Sequence, residues 1–321
     1  MKNIKIFVST FLFIFFFSLI FTAQPPAEKK KKRSEDRIRV VTIPISIYTK
    51  KELKENLTEE FLQADRIIVE ENQEEKTIIS IRSVSDTPLS LAILLQDDLG
   101  TNVNLELKNL GKFIKNLPAG SKVMVAYLSG GAIQIRQKFT DDLEKAADSL
   151  RIVRGSAASA PRNPYDSIID VLNRFDALPN GRRAILLVSD GLDISNGIGS
   201  STPSQSLDLD RAILRAQQRG VAVYSFYSPA TLTGNGGSFL VLNAQSSLQK
   251  LSDETGGRAF FSGTTAPVSF TPFFQDLGIL LTRQFAVTYL SDNFKKGFYK
   301  VKVTSTNPEI KIEHPKGYYF R

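Results

Sequence analysis

Two kinds of hydrophobic spacing divide this chain. In the middle, Leu91-Ala92-Ile93-Leu94-Leu95, Val123-Met124-Val125-Ala126-Tyr127, Ala184-Ile185-Leu186-Leu187-Val188 and Val221-Ala222-Val223-Tyr224 are almost unbroken apolar runs. Strands buried on both faces read this way, as in a parallel sheet covered by helices. Between them lie stripes at helical spacing: Leu107, Leu110, Ile114 and Leu117; Leu143, Ala146, Ala147 and Leu150; Ile168, Leu172 and Phe175. A further helix around Leu248 and Leu251 should stop at Thr255-Gly256-Gly257, where glycine can take the left-handed turn. One junction breaks the alternation. Gly130-Gly131 separates two strand-like runs, the signal for a tight hairpin, so one strand should run antiparallel at an edge. Alternating strands and helices of this kind specify a doubly wound α/β fold with a mostly parallel sheet.

The flanks follow a different pattern. Ile38-Arg39-Val40-Val41-Thr42-Ile43 and Ile78-Ile79-Ser80-Ile81 near one end, and Phe285 to Leu290, Tyr299 to Val303 and Ile310-Lys311-Ile312 near the other, alternate in polarity. Half-exposed antiparallel strands do so. Residues 38–88 and 284–321 are therefore expected to form one small β-rich domain from the two chain ends, with the α/β domain, 89–283, inserted between them.

Residues 1–23 begin with Lys2 and Lys5 and continue as an apolar stretch broken only by Ser and Thr. This is the design of a secretory signal. Ala23 suits a cleavage site, but the bulky Phe21 does not, and residues 6–23 could instead attach the chain to a membrane as an uncleaved anchor. Residues 24–37, with Pro25-Pro26 and a charge run, read as a solvated linker. Either way the rest should be exported: periplasmic, envelope-attached or secreted.

Composition narrows the function. The formal charge of +8 points towards nucleic acid until it is located. Residues 1–33 hold seven of the 41 basic side chains against one acid, which leaves +2 for the remainder. A phosphate backbone would need a basic face on the folded part, so nucleic-acid binding is not expected. There is no cysteine, and His314 is the one histidine. Disulfides, thiolate sites, catalytic triads and histidine-rich zinc sites lack their building blocks. No credible base or nucleophile remains, and no enzyme is expected.

Two apolar strands end on acids, at Gln96-Asp97-Asp98 and at Ser189-Asp190-Gly191. Open α/β sheets bind ligands at the carboxyl ends of their strands, where strand order reverses. Thr101 follows Asp97 by four residues, at the start of the next helix. Two carboxylates facing one another repel unless a cation or an arginine lies among them. Oxygen ligands alone select a hard ion, Mg²⁺ or Mn²⁺, so Asp97, Thr101 and Asp190 are the candidate metal ligands. A strand-end Asp that caps the following helix is the competing reading. Asp141-Asp142 at a helix start is assigned to dipole complementarity. Gly234-Asn235-Gly236-Gly237 is read as a flexible excursion, not a phosphate cradle, because no Gly-Lys-Ser/Thr follows. Tyr318-Tyr319-Phe320 is read as a terminal strand packing on the β-domain.

Leu94-Leu95-Gln96-Asp97-Asp98-Leu99-Gly100-Thr101, Pro164-Tyr165-Asp166-Ser167-Ile168 and Leu187-Val188-Ser189-Asp190-Gly191-Leu192-Asp193 resemble the three loop motifs of von Willebrand factor A (VWA) domains. Phe139-Thr140-Asp141-Asp142, Ala222 to Phe226, Leu251 to Arg258 and Lys316-Gly317-Tyr318-Tyr319 extend the likeness to a bacterial, exported branch of that family. The resemblance implies a metal-ion-dependent adhesion site, completed by an acidic side chain from a protein partner. The site departs from the family pattern, with Leu99 in place of a ligating serine and Arg162 in place of a threonine. A guanidinium about 4 Å from a divalent cation would be repelled by roughly 8 kcal/mol at an effective dielectric of 20. Either the loop shifts so that Ser156, Ser159 or Asn163 substitutes, or Arg162 pairs with Asp97 and Asp190 and the site holds no metal. The function expected is an adhesion-type, protein-binding module with a degenerate ion site. The alternative is a metal-independent scaffolding part of a cell-envelope complex.

Overall fold

The computed structural model describes residues 38–49, 67–84, 87–130, 132–156, 163–179, 181–235 and 237–320. The signal or anchor segment 1–23, the linker 24–37, Ser159 and Arg162 lie outside these. Residues 38–321 form one compact unit.

Its centre is a six-stranded sheet built from β5 (Leu89–Gln96), β6 (Lys122–Ser129), β7 (Ala132–Thr140), β8 (Arg182–Ser189), β9 (Ala222–Tyr227) and β10 (Ala259–Phe260). The order is β10-β9-β8-β5-β6-β7. All pairs are parallel except β6 with β7, which form the expected hairpin through Ser129↔Ala132. Strand order thus reverses between β5 and β8, the switch point of a doubly wound sheet.

The apolar runs work because each strand feeds two cores. On β5, Leu89, Leu91, Ile93 and Leu95 enter one cluster while Ala92 and Leu94 enter the other. Helices α1 (Val103–Lys115), α2 (Leu143–Asp148) and α7 (Thr271–Thr282) cover the first face. The second is covered by α3 (Tyr165–Arg174), α4 (Leu207–Arg219) and α6 (Gly237–Thr255). Asp142 stands at the start of α2, as expected, and does more than complement its dipole: it caps the helix by accepting the Lys145 N–H at 2.9 Å. Gly256, at φ +85°, ends α6.

The glycine-rich stretch after Pro229 is not a loose excursion. Thr231–Asn235 forms a short helix, α5, and Gly237 opens α6. The segment is anchored because the buried Thr233 hydroxyl accepts the Ala230 N–H at 2.8 Å, and Ala230 forms a β-bridge with Leu99. Composition alone carried no trace of these tertiary anchors.

The chain ends build two four-stranded sheets around one further core. One has the order β13-β1-β11-β4, from β13 (Ile310–Glu313), β1 (Arg39–Thr49), β11 (Gln284–Ser291) and β4 (Ile78–Ser83). The other has the order β14-β12-β2-β3, from β14 (Gly317–Phe320), β12 (Gly297–Ser305), β2 (Ile67–Glu71) and β3 (Glu74–Lys76). Alternate residues Val41, Ile43, Ile45, Val287, Tyr289, Val301 and Val303 meet between them. This β-sandwich joins the parallel sheet at its amino-terminal edge. There Arg182, the first residue of β8, donates to the Gln284 side chain at 2.7 Å and to the Leu281 carbonyl at 2.6 Å. The carboxyl ends of the strands are at the other edge. Among the described residues no helix is long and apolar enough to cross a membrane.

Candidate functional site

Parallel pairing of β5 with β8, through Leu95↔Val188, brings Gln96-Asp97-Asp98 and Ser189-Asp190 to the same rim. The crevice between them is roofed. Leu99, buried in the core, bridges to Ala230, and Gly100 N–H donates to the Pro229 carbonyl at 3.1 Å. The loop after β5 is thereby tied to the loop after β9, across the end of β8. Asp97, Asp98 and Asp190 are all buried beneath it.

Gln96 organises the inner part. Its Oε1 accepts the Ser189 hydroxyl at 2.5 Å and the Asp190 N–H at 3.2 Å, and its Nε2 donates to Asp98 at 2.9 Å. Asp190 accepts the Leu192 N–H at 3.1 Å and the Thr233 hydroxyl at 3.3 Å. Burial, reinforced by the charge of Asp98, pushes the Asp190 carboxyl up to about 7. Burial also raises Asp98, with the Asp97 charge adding to it and the Gln96 bond opposing. The buried Tyr227 hydroxyl, which has no hydrogen-bond partner among the described residues, is pushed up to about 12 by burial and by Asp190. Gly191 keeps the turn tight. Its φ is +72°, and a Cβ there would lie 2.4 Å from Leu248 Cγ and 2.8 Å from the Ala244 carbonyl, so α6 can approach only a glycine.

Asp97 has a different partner. Arg151, after α2, clamps both of its oxygens, Nη1 to Oδ1 at 2.7 Å and Nη2 to Oδ2 at 3.1 Å. The Arg154 N–H adds a bond to Oδ1 at 3.2 Å, and its Nε lies 3.5 Å from Oδ2. The Asp97 carbonyl accepts from the N–H groups of Arg154 and Gly155. Burial works to raise this carboxyl, but the two arginines hold it below the usual carboxylate range. Arg151 is itself fixed, its guanidinium lying 3.9 Å from the Tyr127 ring centroid while its backbone exchanges bonds with the Tyr127 hydroxyl.

These residues do not fit a divalent cation. Both Asp97 oxygens are taken by a guanidinium, which would repel the ion. Asp190 sits in surroundings that favour its neutral form. Leu99, at the position of a ligating serine in the resembled motif, belongs to the apolar core. Thr101 is exposed, beside Gly155. Among the described residues no group of three or more acidic, histidine or cysteine side chains is placed to hold a metal. Asn163, the substitute ligand on a shifted loop, instead accepts the N–H groups of Tyr165 and Asp166 and donates to Ser195.

Of the three residues singled out from sequence, Asp97 and Asp190 reach one rim, while Thr101 lies outside the roof. Asp98, not Asp97, acts electrostatically on Asp190. The cation expected among the acids is there for Asp97, supplied by Arg151 and Arg154. Sequence reasoning passed over both, because the segment Leu150-Arg151-Ile152-Val153-Arg154-Gly155 has no motif and lies more than 50 residues from Asp97. Its one signal was a pair of arginines, three apart, in a segment without a helical stripe.

No family model matches the chain, and no curated protein does. Solved structures similar to it include an aerotolerance-related membrane protein from Bacteroides fragilis NCTC 9343, at 12% identity and TM-score 0.41, covering 60% of this chain and 98% of the other. They also include the SpRpn10 VWA domain, at 11% identity and TM-score 0.39, covering 60% and 94%. A manganese-loaded Plasmodium vivax TRAP protein matches at 10% identity and TM-score 0.40, covering 78% and 98%. Similarity at that level carries no argument about function, and the doubly wound fold rests on the strand order of this chain itself.

Proposed function

We propose that this chain is an extracytoplasmic, protein-binding module of the von Willebrand factor A type. It binds an acidic group on its partner through arginines at the sheet rim, without a metal ion. The observation that carries this reading is the clamp of Arg151 on Asp97. The residue that heads the resembled ion motif is already neutralised, and the positive charge that an ion would offer to a partner is built into the chain.

Arg154 is the contact residue. Its backbone N–H is pinned to Asp97, while its side chain is 57% exposed. Apolar surface flanks it. Ile152 is 66% exposed and Leu105 is 77% exposed. Asn104 holds the two segments together by accepting the Val153 N–H at 2.7 Å. An arginine set among exposed aliphatic side chains is the composition of an interface centre. No catalytic role is part of this reading, and His314 is buried in the β-sandwich, where it accepts the Val303 N–H at 3.2 Å.

The test is capture of envelope proteins on the immobilised chain, compared with Arg154→Glu, with and without chelator. Capture should be lost in the variant, weakened by salt and unaffected by EDTA, while the melting temperature stays close to that of the parent. Capture that survives the charge reversal, or that disappears with EDTA, would overturn the reading.

A further inference from the structure

At the edge of the parallel sheet opposite Asp97 there is a cavity of about 760 Å³. It lies between the first residues of β5, β6, β8 and β9 and the β-sandwich strands β1 and β11. That volume is within the range of pockets that enclose a small organic molecule. Its walls are partly apolar, with Pro88, Pro179 and Phe285 among them.

The charged residues of the wall are all basic among those described: Lys122, Arg182, Arg183 and Arg219. Arg182 belongs to the framework, engaged by Gln284 and by the carbonyls of Thr87 and Leu281. Of the other three, Lys122 and Arg183 have no ion-paired acid among the described residues. Arg219 is held by Asp176 through two bonds, Nε to Oδ1 at 3.0 Å and Nη2 to Oδ2 at 2.9 Å, and by Asn173, while its Nη1 is buried without an acceptor among the described residues. Arg183 donates only to carbonyl oxygens, those of Leu178, Pro179 and Arg219, and its Nε is likewise buried without an acceptor. Lys122 starts β6 on the same wall. Burial, chiefly, and the adjacent charge of Arg219 lower the Arg183 guanidinium, with Asp176 opposing.

Like charges gathered in a half-buried site, with donors lacking acceptors, cost free energy unless something else brings negative charge. Protein acids do not supply enough of it here. We infer that this cavity is a binding site for a small oxyanion, a carboxylate or phosphate, carried on an apolar body, with Lys122, Arg183 and Arg219 attracting the anion and the prolines and Phe285 receiving the body. The two orphaned N–H groups lie below the surface. Direct contact therefore falls on Lys122 and on the accessible parts of the two arginines, while the anion's charge offsets the repulsion behind them. This site shares no residue with the rim, so it stands or falls separately from the partner-binding reading.

The experiment is calorimetric titration of the folded chain with three probes: decanoate, decanol as its uncharged counterpart, and inorganic phosphate. Decanoate should bind saturably and raise the melting temperature. Decanol and phosphate should each bind more weakly, by about tenfold or more, because each lacks one half of the recognition. Lys122→Gln, which removes no hydrogen bond or ion pair among the described residues, should weaken decanoate about tenfold. Arg219→Gln should do so at least as strongly where it folds, and Lys108→Gln on α1 should change nothing. Equal affinity for decanoate and decanol, equal affinity for decanoate and phosphate, unaltered binding in the Lys122 variant, or no saturable heat would each overturn the proposal.

Discussion

Asp97 at the rim and Glu71 in the β-sandwich are both fully buried carboxylates, and the protein treats them differently. Asp97 is held by formal cations, the bidentate Arg151 and the more distant Arg154. Among the described residues Glu71 is held by neutral donors alone: Tyr289 at 2.8 Å, Ser291 at 2.6 Å, Asn293 at 2.5 Å and Tyr318 at 2.8 Å. Burial works to raise Glu71, and these four bonds lower it below the usual carboxylate range. A carboxylate has about four lone-pair sites, so the sandwich uses the whole group to tie β2 to β11, to the residues just after β11 and to β14. Nothing is left over for a partner. The rim solution overshoots instead, since a second arginine stands outside with most of its side chain in solvent. Saturated polar clusters lock a fold, and unsaturated ones at its edge are available to bind.

Glu71→Ala would strand four donors and should cost about 4 kcal/mol, near one for each, measured by urea unfolding. A loss below about 1 kcal/mol would mean that the cluster does not lock the sandwich. Arg151→Ala should cost about 3 kcal/mol, the lower end for an uncompensated buried charge, because Arg154 still screens Asp97. The double variant Arg151→Met with Asp97→Leu should recover most of that loss. A double variant no more stable than Arg151→Ala would show that the clamp stabilises by packing rather than by neutralising charge.

Stability against pH separates the carboxylates by sign. Glu71 and Asp97 are lowered by folding. Their contribution is present above the unfolded carboxylate value of about 4 and is lost as pH falls through their folded values. Asp190 is raised to about 7, so it penalises the folded state above that pH, and the penalty fades as pH falls towards about 4. Thermal unfolding from pH 8 to pH 2 should therefore show stability rising to about pH 4–5 and then falling. Asp190→Asn should flatten the upper limb only. An unchanged upper limb in that variant would remove Asp190 from the account. The smallest expected effect is that of metal. A bound ion at 100 times its Kd would add about 2.7 kcal/mol, whereas added Mg²⁺, Mn²⁺ or EDTA should leave the melting temperature where it was.

Much of the architecture was legible in the chain because burial on two faces leaves a continuous apolar record. Leu91 to Leu95 reads as a strand flanked by helices, and that is how it packs. The hairpin at Gly130 and the acid at the start of α2 are local, and local chemistry is written in adjacent residues. The site was legible in part. Strand-end acids at 97 and 190 follow from the pattern, and so does the need for a cation near them. Which cation does not follow. Arg151 reaches Asp97 only because α2 returns the chain beside Tyr127, and no spacing in the sequence encodes that return. The same is true of Glu71, one of the four acids from Glu70 to Glu75. Alternation turns it inward, but its donors come from β11, β14 and Asn293, more than 200 residues away.

By itself, then, the sequence determined the class of fold, the hairpin edge, the alternating strands of the two flanks and the strand ends at which acids collect, because each depends on neighbours within a few residues. Tertiary structure alone decided that Leu99 and Ala230 roof the crevice, that Asp97 meets a guanidinium rather than an open ligand position, and that three arginines and a lysine gather at the opposite edge. Electrostatic energy depends on distance through space and on burial, and neither quantity exists until distant segments have packed.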